Sequence, residues 1–446
     1  MYNQFLAIQA LSQQGAQSAS FLQQHLRQHR WWKIRYFSAR ALGKMKIIAT
    51  KLQPDLRKGL HDPDRRVREA IVHALGALGE PSLKSLRYAL RNDWWRVRAL
   101  AIRYLSQLRP PHIVPDLERM FQDPTARVRE LAVQHLGLFG QEGLPALIRA
   151  LQQTRWKSIR WIAAMEIGRF YEGARPALPA MRSALRDKSI QVRLAVIEAL
   201  GNIGPTSTPL STSLSTHLKS KSARERIATA QSLGLIGPTI SRKACERLAR
   251  ALFSKYKELH EACIHALGLL GKKSTPILRK ALRSHPAQKI RQYAAKRLGY
   301  LPNITRITLQ TLQRGLRDTS TEVQEACALS IGRIRHVKIK SIMQDALLRH
   351  KWWKVREIAA EYLGRNLHIS SLRTLVKALE DTDTRVRVAV MSSISEYGNL
   401  TKPYFKKLRS LEEDADLSIR EAAQMMNRKL NPQNKLPTSK KRSKKD

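Results

Sequence analysis

The chain has 446 residues, and its 81 Lys and Arg outnumber its 35 Asp and Glu, so the formal net charge at pH 7 is +46. This excess disfavours compaction unless an elongated shape or a polyanion relieves the repulsion, so we expect nucleic acid, an anionic membrane or an acidic protein surface as partner. A hydrophobic fraction of 43% excludes wholesale disorder. No apolar run approaches the roughly 20 residues of a membrane span.

The cysteines exclude two kinds of site. Only Cys245, Cys263 and Cys327 occur, too far apart for a disulfide framework or a CxxC metal site. They predict a reducing compartment, the cytoplasm, with association with a nucleoid or ribosome, or a nuclear location in a eukaryote, left open. The pattern predicts no metal site and no cofactor.

Three segments follow one another along the chain. Spaced apolar residues in 1–17 predict a helix that caps the next segment, and residues 431–446 predict a disordered basic tail. Residues 18–430 repeat one phrase, in which Val-Arg is followed by Ala and then by Leu-Gly, as from Val67 to Gly76. We call the Val position the anchor, and neighbouring anchors are 30 to 34 residues apart. The thirteen anchors are Ile34, Val67, Val97, Val128, Ile159, Val192, Glu225, Leu259, Ile290, Val323, Val355, Val386 and Ile419.

The period predicts a helical hairpin in each repeat. From Val67 to Leu78 the apolar residues fall at i, i+3, i+4, i+7, i+8 and i+11, which is one stripe of an α-helix. Gly79 ends this second helix, and Pro81 opens the next first helix. Two such helices cannot bury their apolar faces alone, so the hairpins must stack. The Ser/Thr-rich residues 205–223 predict a weak first helix of repeat seven, and favour a polar surface helix over a hinge or a phosphorylation site.

These phrases resemble the HEAT-repeat family, in particular its short form named after phycobilisome lyases. The resemblance implies an all-α superhelical solenoid of about thirteen hairpins, with the second helices on the concave face. It also implies a ladder in which the Arg after the anchor pairs with an Asp in the preceding turn. The residue after the anchor is Arg in eleven of thirteen repeats, and Asp stands five before the anchor in six: Asp62, Asp123, Asp187, Asp318, Asp381 and Asp414.

Four repeats carry Trp three residues before the anchor, and three of them double it. These tryptophans are Trp31, Trp32, Trp94, Trp95, Trp156, Trp352 and Trp353, and Trp161 lies one helical turn beyond Trp156. In the four repeats the Asp slot holds His29, Asn92, Thr154 and His350. We therefore expect the arginines of these repeats to lack an acid, and one indole of each pair to be exposed or part-exposed.

Basic residues interleaved with aromatics suit nucleic acid, because Lys and Arg neutralise phosphates while indoles stack on unpaired bases. Further bases six or ten residues after the anchor lie on the exposed side of the second helix. The candidate nucleic-acid-binding residues are Trp31, Trp32, Lys33, Arg35, Arg40, Lys44, Trp94, Trp95, Arg96, Arg98, Arg103, Trp156, Lys157, Arg160, Trp161, Trp352, Trp353, Lys354, Arg356, Lys440, Lys441 and Arg442.

Enzyme functions are less favoured. Neither a P-loop nor an HExxH or GxSxG motif occurs, and the single His260-Glu261 pair cannot hold the two irons of the HEAT-type deoxyhypusine hydroxylases. HEAT-like alkylpurine DNA glycosylases remain an alternative, with Asp93 beside Trp94 as the comparable arrangement.

The sequence thus predicts a non-catalytic, monomeric, largely sequence-nonspecific nucleic-acid-binding scaffold, with DNA or RNA left open. The main alternative is an adaptor for an acidic protein, as in the tubulin-binding HEAT domains that it resembles.

Overall fold

The computed structural model describes residues 18–45, 49–110, 112–302 and 304–430, and within these ranges every regular element is a helix. The all-α prediction is confirmed. Odd-numbered helices are the first helices of successive hairpins, and even-numbered helices are the second. The helices are α1 Ala19–Gln28, α2 Trp32–Leu42, α3 Ala49–Gly59, α4 Arg65–Leu78, α5 Leu83–Ala89, α6 Trp95–Leu108, α7 Ile113–Arg119, α8 Ala126–Leu136, α9 Leu144–Gln153, α10 Lys157–Gly168, α11 Leu178–Ala184, α12 Ile190–Ile203, α13 Ser211–Leu214, α14 Ala223–Ile236, α15 Arg242–Leu252, α16 Lys257–Leu269, α17 Thr275–Ser284, α18 Gln288–Gly299, α19 Arg306–Gly315, α20 Thr321–Arg333, α21 Ile339–Arg349, α22 Trp353–Arg365, α23 Ile369–Ala378, α24 Thr384–Ser395, α25 Phe405–Ser410 and α26 Leu417–Leu430.

Short 3-10 segments connect many of the helices and extend some first helices. They are Glu80–Ser82, Met120–Gln122, Gly137–Glu142, Tyr171–Ala177, Gly204–Leu210, Ser215–Lys219, Gly237–Thr239, Gly271–Ser274, Gly398–Tyr404 and Leu411–Glu413. The chain forms two compact units, Met1–Arg247 and Leu248–Asp446. In the first unit each second helix packs on the next, from α2 against α4 to α12 against α14. In the second unit the same packing runs from α16 against α18 to α24 against α26. None of the helices in the described ranges is both long and apolar enough to cross a membrane.

The anchors form the centre of the core, since all thirteen are at most 5% exposed. Glu225 is the polar exception, and it is buried because its carboxylate has two partners. One oxygen accepts from Arg193 Nε at 2.6 Å, and the other accepts from the Ser220 hydroxyl. Ser220 occupies the slot that holds Asp in six other repeats. Glu225, at the anchor position, therefore replaces that Asp as the carboxylate partner of the preceding arginine.

The Leu-Gly phrase is explained by the close approach of successive second helices. A Cβ added at Gly168 of α10 would lie 2.9 Å from the Ala199 Cα of α12, and one added at Gly364 of α22 would lie 2.8 Å from the Ser393 Cα of α24. Such distances are too short for any side chain. Glycine at this position therefore sets how closely the repeats pack.

The Ser/Thr-rich segment lies where the first helix of repeat seven is expected, but it is broken into Gly204–Leu210, α13 and Ser215–Lys219. One side of it is buried: Ser207, Ser211 and Ser215 face the core. The prediction of a merely polar surface helix is wrong on this side, because small hydroxyl side chains here fill interior positions. The hydroxyls of Ser211 and Ser215 each donate a hydrogen bond to the carbonyl oxygen three residues earlier, which offsets the cost of burying a polar group.

Candidate polyanion interface

A ladder of arginines joins each hairpin to the next. Arg98 Nε and Nη2 donate to the two carboxylate oxygens of Asp123 at 2.6 and 2.8 Å, while its Nη1 donates to the Asn92 carbonyl oxygen at 2.7 Å. The acid thus comes from the following repeat, and the turn of the arginine's own repeat contributes only a backbone carbonyl. The same two-point pairing occurs in Arg35–Asp62, Arg160–Asp187, Arg291–Asp318 and Arg356–Asp381.

This geometry overturns one expectation. The arginines of the tryptophan repeats were expected to lack an acid, yet Arg35, Arg98, Arg160 and Arg356 all have one. The pairing was assigned to the wrong repeat, because the carboxylate of each rung lies one hairpin further along the chain. All four guanidinium groups are at least half-buried and doubly bonded, so these arginines are removed from the candidate interface.

Where another residue fills the Asp slot of a repeat, the ladder residue of the preceding repeat therefore lacks its usual carboxylate partner. In repeat three Asn92 fills the Asp slot, and Arg68 of repeat two pairs with the neighbouring Asp93. His350 fills the Asp slot of repeat eleven. The residue after the anchor in the preceding repeat is Gln324, whose side-chain amide donates to the Asp318 carbonyl oxygen at 2.6 Å. Thr154 fills the Asp slot of repeat five, and Arg129 of the preceding repeat has no carboxylate partner among the described residues.

Arg129 lies over an indole where the other rungs have an acid. Its guanidinium carbon is 3.9 Å from the Trp156 ring centre, and Arg155 lies over the same ring at 4.4 Å. Arg129 Nη1 donates to the Asp123 and Pro124 carbonyl oxygens, whereas its Nε has no hydrogen-bond partner among the described residues. A cation–π contact thus replaces the salt bridge of this rung.

The second indole of two Trp pairs is covered by an arginine of the following repeat. Arg66 lies over Trp32 at 3.4 Å and pairs with Asp64 at 2.8 Å. Arg385 lies over Trp353 at 3.5 Å and pairs with Asp383, also at 2.8 Å. These half-buried indoles hold repeats together. The stacked ion pair also explains why Arg and Asp stand one and three residues before the anchors Val67 and Val386.

The remaining tryptophans differ in exposure. Trp94 Nε1 donates to Glu69 at 2.8 Å and Arg65 lies 4.1 Å over its ring, so it is tied to the preceding repeat. Trp95 and Trp352 are half-buried and lie against their partners in the pairs. The two exposed indoles of the eight are Trp31, at 39%, and Trp161, at 41%. The expectation of one exposed or part-exposed indole per pair is thus met in all three pairs, although the first pair alone has an indole in the exposed class.

Uncompensated charge lies on α2 and α6, and an imidazole lies between them on α4. Arg40, His73 and Arg103 occupy the position six residues after the anchor on α2, α4 and α6, and Lys44 lies one turn beyond Arg40. All four are exposed, and we call them the basic row. Within the described residues, neither Arg40 nor Arg103 has a carboxylate partner. Tyr104 joins the row, because its hydroxyl lies 2.7 Å from His73 Nδ1.

The positive charges of the basic row affect the pKa values of two histidines, His73 and His135. Burial holds the pKa of His73 below its ordinary value, and the positive charges of Arg40 and Arg103 lower it further, although Glu69 acts in the opposite direction. Burial and then Arg103 likewise lower the pKa of His135 on α8. Both histidines therefore lie within the electrostatic reach of the row's arginines, although burial is the main cause of the two shifts. Sequence reasoning missed His73, although its place six residues after the anchor was the available signal.

The acids in this region are already bonded. Residues 1–110 contain 20 Lys and Arg and 6 Asp and Glu. Five of the six acids have side-chain partners: Asp55 bonds Arg27, Asp62 bonds Arg35, Asp64 bonds Arg66, Asp93 bonds Arg68 and Glu69 bonds Trp94. Among the described residues of this region, Glu80 is thus the one acid without an ion pair or a side-chain hydrogen bond, and the other five are not free to balance the basic row.

The other basic candidates differ in availability. Lys33 and Lys157 are exposed, and Arg96 is exposed but lies 3.9 Å from Glu69. Lys354 forms an ion pair with Glu357, which raises the pKa of this lysine. Lys440, Lys441 and Arg442 lie outside the described residues, as does the expected cap at 1–17.

The described residues offer little that resembles a catalytic centre. No group of three or more His, Cys, Asp or Glu in these ranges could hold a metal ion. All three cysteines are buried, and burial raises the pKa of the Cys263 and Cys327 thiols, so thiolate chemistry is disfavoured. His260 lies 2.8 Å from the Ser254 carbonyl oxygen and its ring contacts His285.

Stacked two-helix repeats joined by buried rungs define an α-solenoid protein. The sequence profile of HEAT repeats matches residues 19–97, 83–168, 144–234, 275–364 and 341–427. These matches cover most of the chain, which therefore belongs to the HEAT-repeat family. No match was found among curated proteins.

Similar solved structures include the karyopherin Kap121p bound to the extreme C-terminus of the protein phosphatase Cdc14p, at 14% identity and a TM-score of 0.53, over 93% of this chain and 54% of that one. Importin beta is similar at 14% identity and 0.51, over 93% and 65%. Yeast importin-beta (Kap95p) is similar at 13% and 0.45, over 93% and 67%. The chain thus spans about half to two thirds of their length, and the likeness shows the fold alone.

Proposed function

We propose that this protein is a non-catalytic scaffold that binds nucleic acid largely independently of base sequence, through the basic row. The observation that carries the proposal is the placement of Arg40, His73 and Arg103 on three successive second helices without a neighbouring carboxylate partner for either arginine. Packed helix axes lie about 8–10 Å apart. A chain of phosphates can therefore follow the row from α2 to α6 and neutralise Arg40, Lys44 and Arg103. It passes the imidazole of His73, whose lowered pKa leaves it uncharged at pH 7.

Phosphate contacts explain the charge better than base contacts do. Arginine and lysine side chains on a helix surface bind phosphates without regard to sequence, and the release of counterions drives the association. Trp31 and Trp161 are the exposed indoles, so stacking on unpaired bases is assigned to them. The other six tryptophans support the array itself.

An adaptor for an acidic protein is the second candidate. The observation that favours it is the exposure of large apolar side chains on the second-helix side, Leu138, Trp161 and Met165 among them. Phosphate backbones do not need such residues, whereas protein interfaces use them. A cytoplasmic location stays a prediction from the three cysteines.

The test is fluorescence anisotropy with labelled single-stranded RNA, single-stranded DNA, duplex DNA and polyglutamate over a salt series. It compares the full chain with a chain that ends at Leu430. We expect nucleic acid to bind more tightly than polyglutamate, with a steep salt slope that remains without residues 431–446. Equal binding of polyglutamate would favour the adaptor. Binding that disappears with the tail would remove the basic row from the proposal.

A further inference from the structure

A cavity of about 430 Å³ opens in the first-helix layer of the first unit. Its walls come from three consecutive repeats: α11 with the residue that follows it at 186, the Ser/Thr-rich segment, and the first half of α15. The side chains that matter are three arginines and three hydroxyl residues. They are Arg182, Arg186, Arg247, Thr212, Ser213 and Thr216.

Arg247 is fixed at the edge of the cavity. Its Nη1 donates to the Thr212 carbonyl oxygen at 2.8 Å and to the Ser215 hydroxyl at 3.0 Å. The Thr212 hydroxyl lies 2.7 Å from that of Ser241. These bonds tie α15 to the Ser/Thr-rich segment. The guanidinium group is therefore held before any ligand arrives, which lowers the entropy lost on binding.

The buried serines explain why this segment can form a wall. Ser207, Ser211 and Ser215 point into the core and recur every four residues. The residues between them, Thr212 and Ser213, are consequently half-exposed at the cavity. A row of small buried side chains brings the segment close to its neighbours. The Thr216 hydroxyl donates to the Ser213 carbonyl oxygen at 2.7 Å and the Thr212 hydroxyl is bonded to Ser241, so among these three residues it is the Ser213 hydroxyl that has no hydrogen-bond partner within the described residues.

No carboxylate lines the cavity, and the nearby acids are already bonded. Asp187 pairs with Arg160, Glu225 pairs with Arg193, and Glu246 pairs with Arg242. Within the described residues, Arg182 and Arg186 have no carboxylate partner. Three guanidinium groups thus face one small space without a counter-charge, which is an unfavourable arrangement unless an anion enters it.

We propose that this cavity binds a phosphomonoester group. A phosphomonoester carries close to two negative charges at pH 7 and three terminal oxygens, which matches the guanidinium groups of the cavity and the Ser213 hydroxyl. A phosphodiester carries one charge and must pass two substituents out of the cavity, so it is a poorer fit. The site lies on odd-numbered helices, whereas the basic row lies on even-numbered ones, so this proposal does not rest on nucleic-acid binding.

Isothermal titration calorimetry on the full chain at constant ionic strength tests the site. The probes are inorganic phosphate, AMP and 3′,5′-cyclic AMP. AMP and its cyclic form share base and sugar and differ in the phosphate, so their ratio reports on the monoester. The variant R182Q/R186Q removes two exposed arginines of the cavity. The matched control K221Q/K243Q removes the same charge from two exposed lysines that do not line the cavity.

We expect saturable binding of AMP and inorganic phosphate, and cyclic AMP to bind at least about tenfold more weakly. R182Q/R186Q should weaken AMP binding by about tenfold or more, because it removes charge-assisted hydrogen bonds. The control should change it less than about twofold, since its charges are screened. Absence of saturable binding by AMP and phosphate overturns the proposal, as do equal affinities for AMP and cyclic AMP or equal losses in variant and control. Binding of RNA by R182Q/R186Q at the affinity of the unmodified chain would show that the two sites are independent.

Discussion

Arg98 and Asp123 form a two-point salt bridge between repeats three and four, with 8% and 3% of their side chains exposed. Asp123 also accepts from the Thr125 backbone amide at 2.8 Å, so one carboxylate joins the arginine of one hairpin to the turn of the next. The bond from Arg98 to the Asn92 carbonyl oxygen completes the rung. Stacking of the repeats and the conformation of each turn are therefore coupled through this pair.

Removal of the Asp123 carboxylate should destabilise the first unit strongly. In D123A the buried Arg98 guanidinium loses its counter-ion, and breaking a buried pair in this way costs about 3–5 kcal/mol. Thermal and urea unfolding followed by circular dichroism measure the effect. The control is E118Q, because Glu118 and Arg149 are more exposed and such pairs contribute less than about 1 kcal/mol. Equal losses in the two variants would contradict the ladder.

The rung at Arg129 should depend on an indole. In W156A the cation–π contacts of Trp156 with Arg129 and Arg155 disappear, and we expect the free energy of unfolding to fall by about 3 kcal/mol. Adding T154D should restore part of this stability, since it places a carboxylate in the slot that six other repeats fill with Asp. The free energies of the single and double variants are compared in a double-mutant cycle. Strictly additive effects would show that Arg129 does not join the two positions.

The basic row should determine the salt dependence of nucleic-acid binding. R40Q/R103Q removes two phosphate contacts, so the slope of log K against log salt should decrease by about 1.4–1.8. Anisotropy with RNA and duplex DNA over about 50–300 mM salt, roughly a sixfold range, measures it. The matched control is K84Q/R91Q, which removes two exposed charges on the first-helix side of repeat three. A decrease of equal size in the control would assign binding to net charge alone.

The exposed and covered indoles should respond differently to substitution. W161A should weaken single-stranded RNA binding by about 1–3 kcal/mol, the usual contribution of one stacked base, and leave stability nearly unchanged. W32A should lower stability, because Trp32 lies beneath Arg66, and leave RNA affinity nearly unchanged. Each variant is measured by anisotropy and by thermal unfolding. An RNA affinity that W161A does not change would leave phosphate contacts as the sole basis of binding.

Stability of the first unit should fall on mild acidification. Burial lowers the folded-state pKa of His73, His135 and His217 below the unfolded value of about 6.5. The unfolded chain therefore binds more protons, and the stability present above pH 6.5 is lost as pH falls toward the folded pKa values. Melting temperatures at pH 7.5 and 5.5 measure this loss.

In H135Q the difference between the two melting temperatures should be smaller than in the unmodified chain. Glu166 acts in the opposite direction because burial raises its pKa, so the comparison is made between variants at the same pH. The exposed His112 provides the control variant H112Q. If H135Q and H112Q change the pH dependence equally, burial of His135 is not the cause.

The solenoid could be predicted because the sequence features that specify it lie close together within each repeat. A repeat of 30 to 34 residues, an apolar stripe at helical spacing and glycines at constant positions indicate stacked hairpins, and the anchors are indeed buried. The overall charge is likewise a property of composition. Arg40, Lys44 and Arg103 could be placed on the exposed side of second helices by counting from the anchor, and they are exposed.

The partner of each arginine could not be predicted in this way. A periodic sequence repeats its Asp as regularly as its Arg, so Asp62 is as acceptable a partner for Arg68 in its own repeat as for Arg35 in the preceding one. Only the stacking of hairpins brings Arg35 to Asp62 and assigns Asp93 to Arg68. The same stacking covers Trp32 with Arg66, exposes Trp161, and gathers Arg182, Arg186 and Arg247 around one cavity. Helix formation depends on neighbours along the chain, whereas the pairing of side chains depends on neighbours in space.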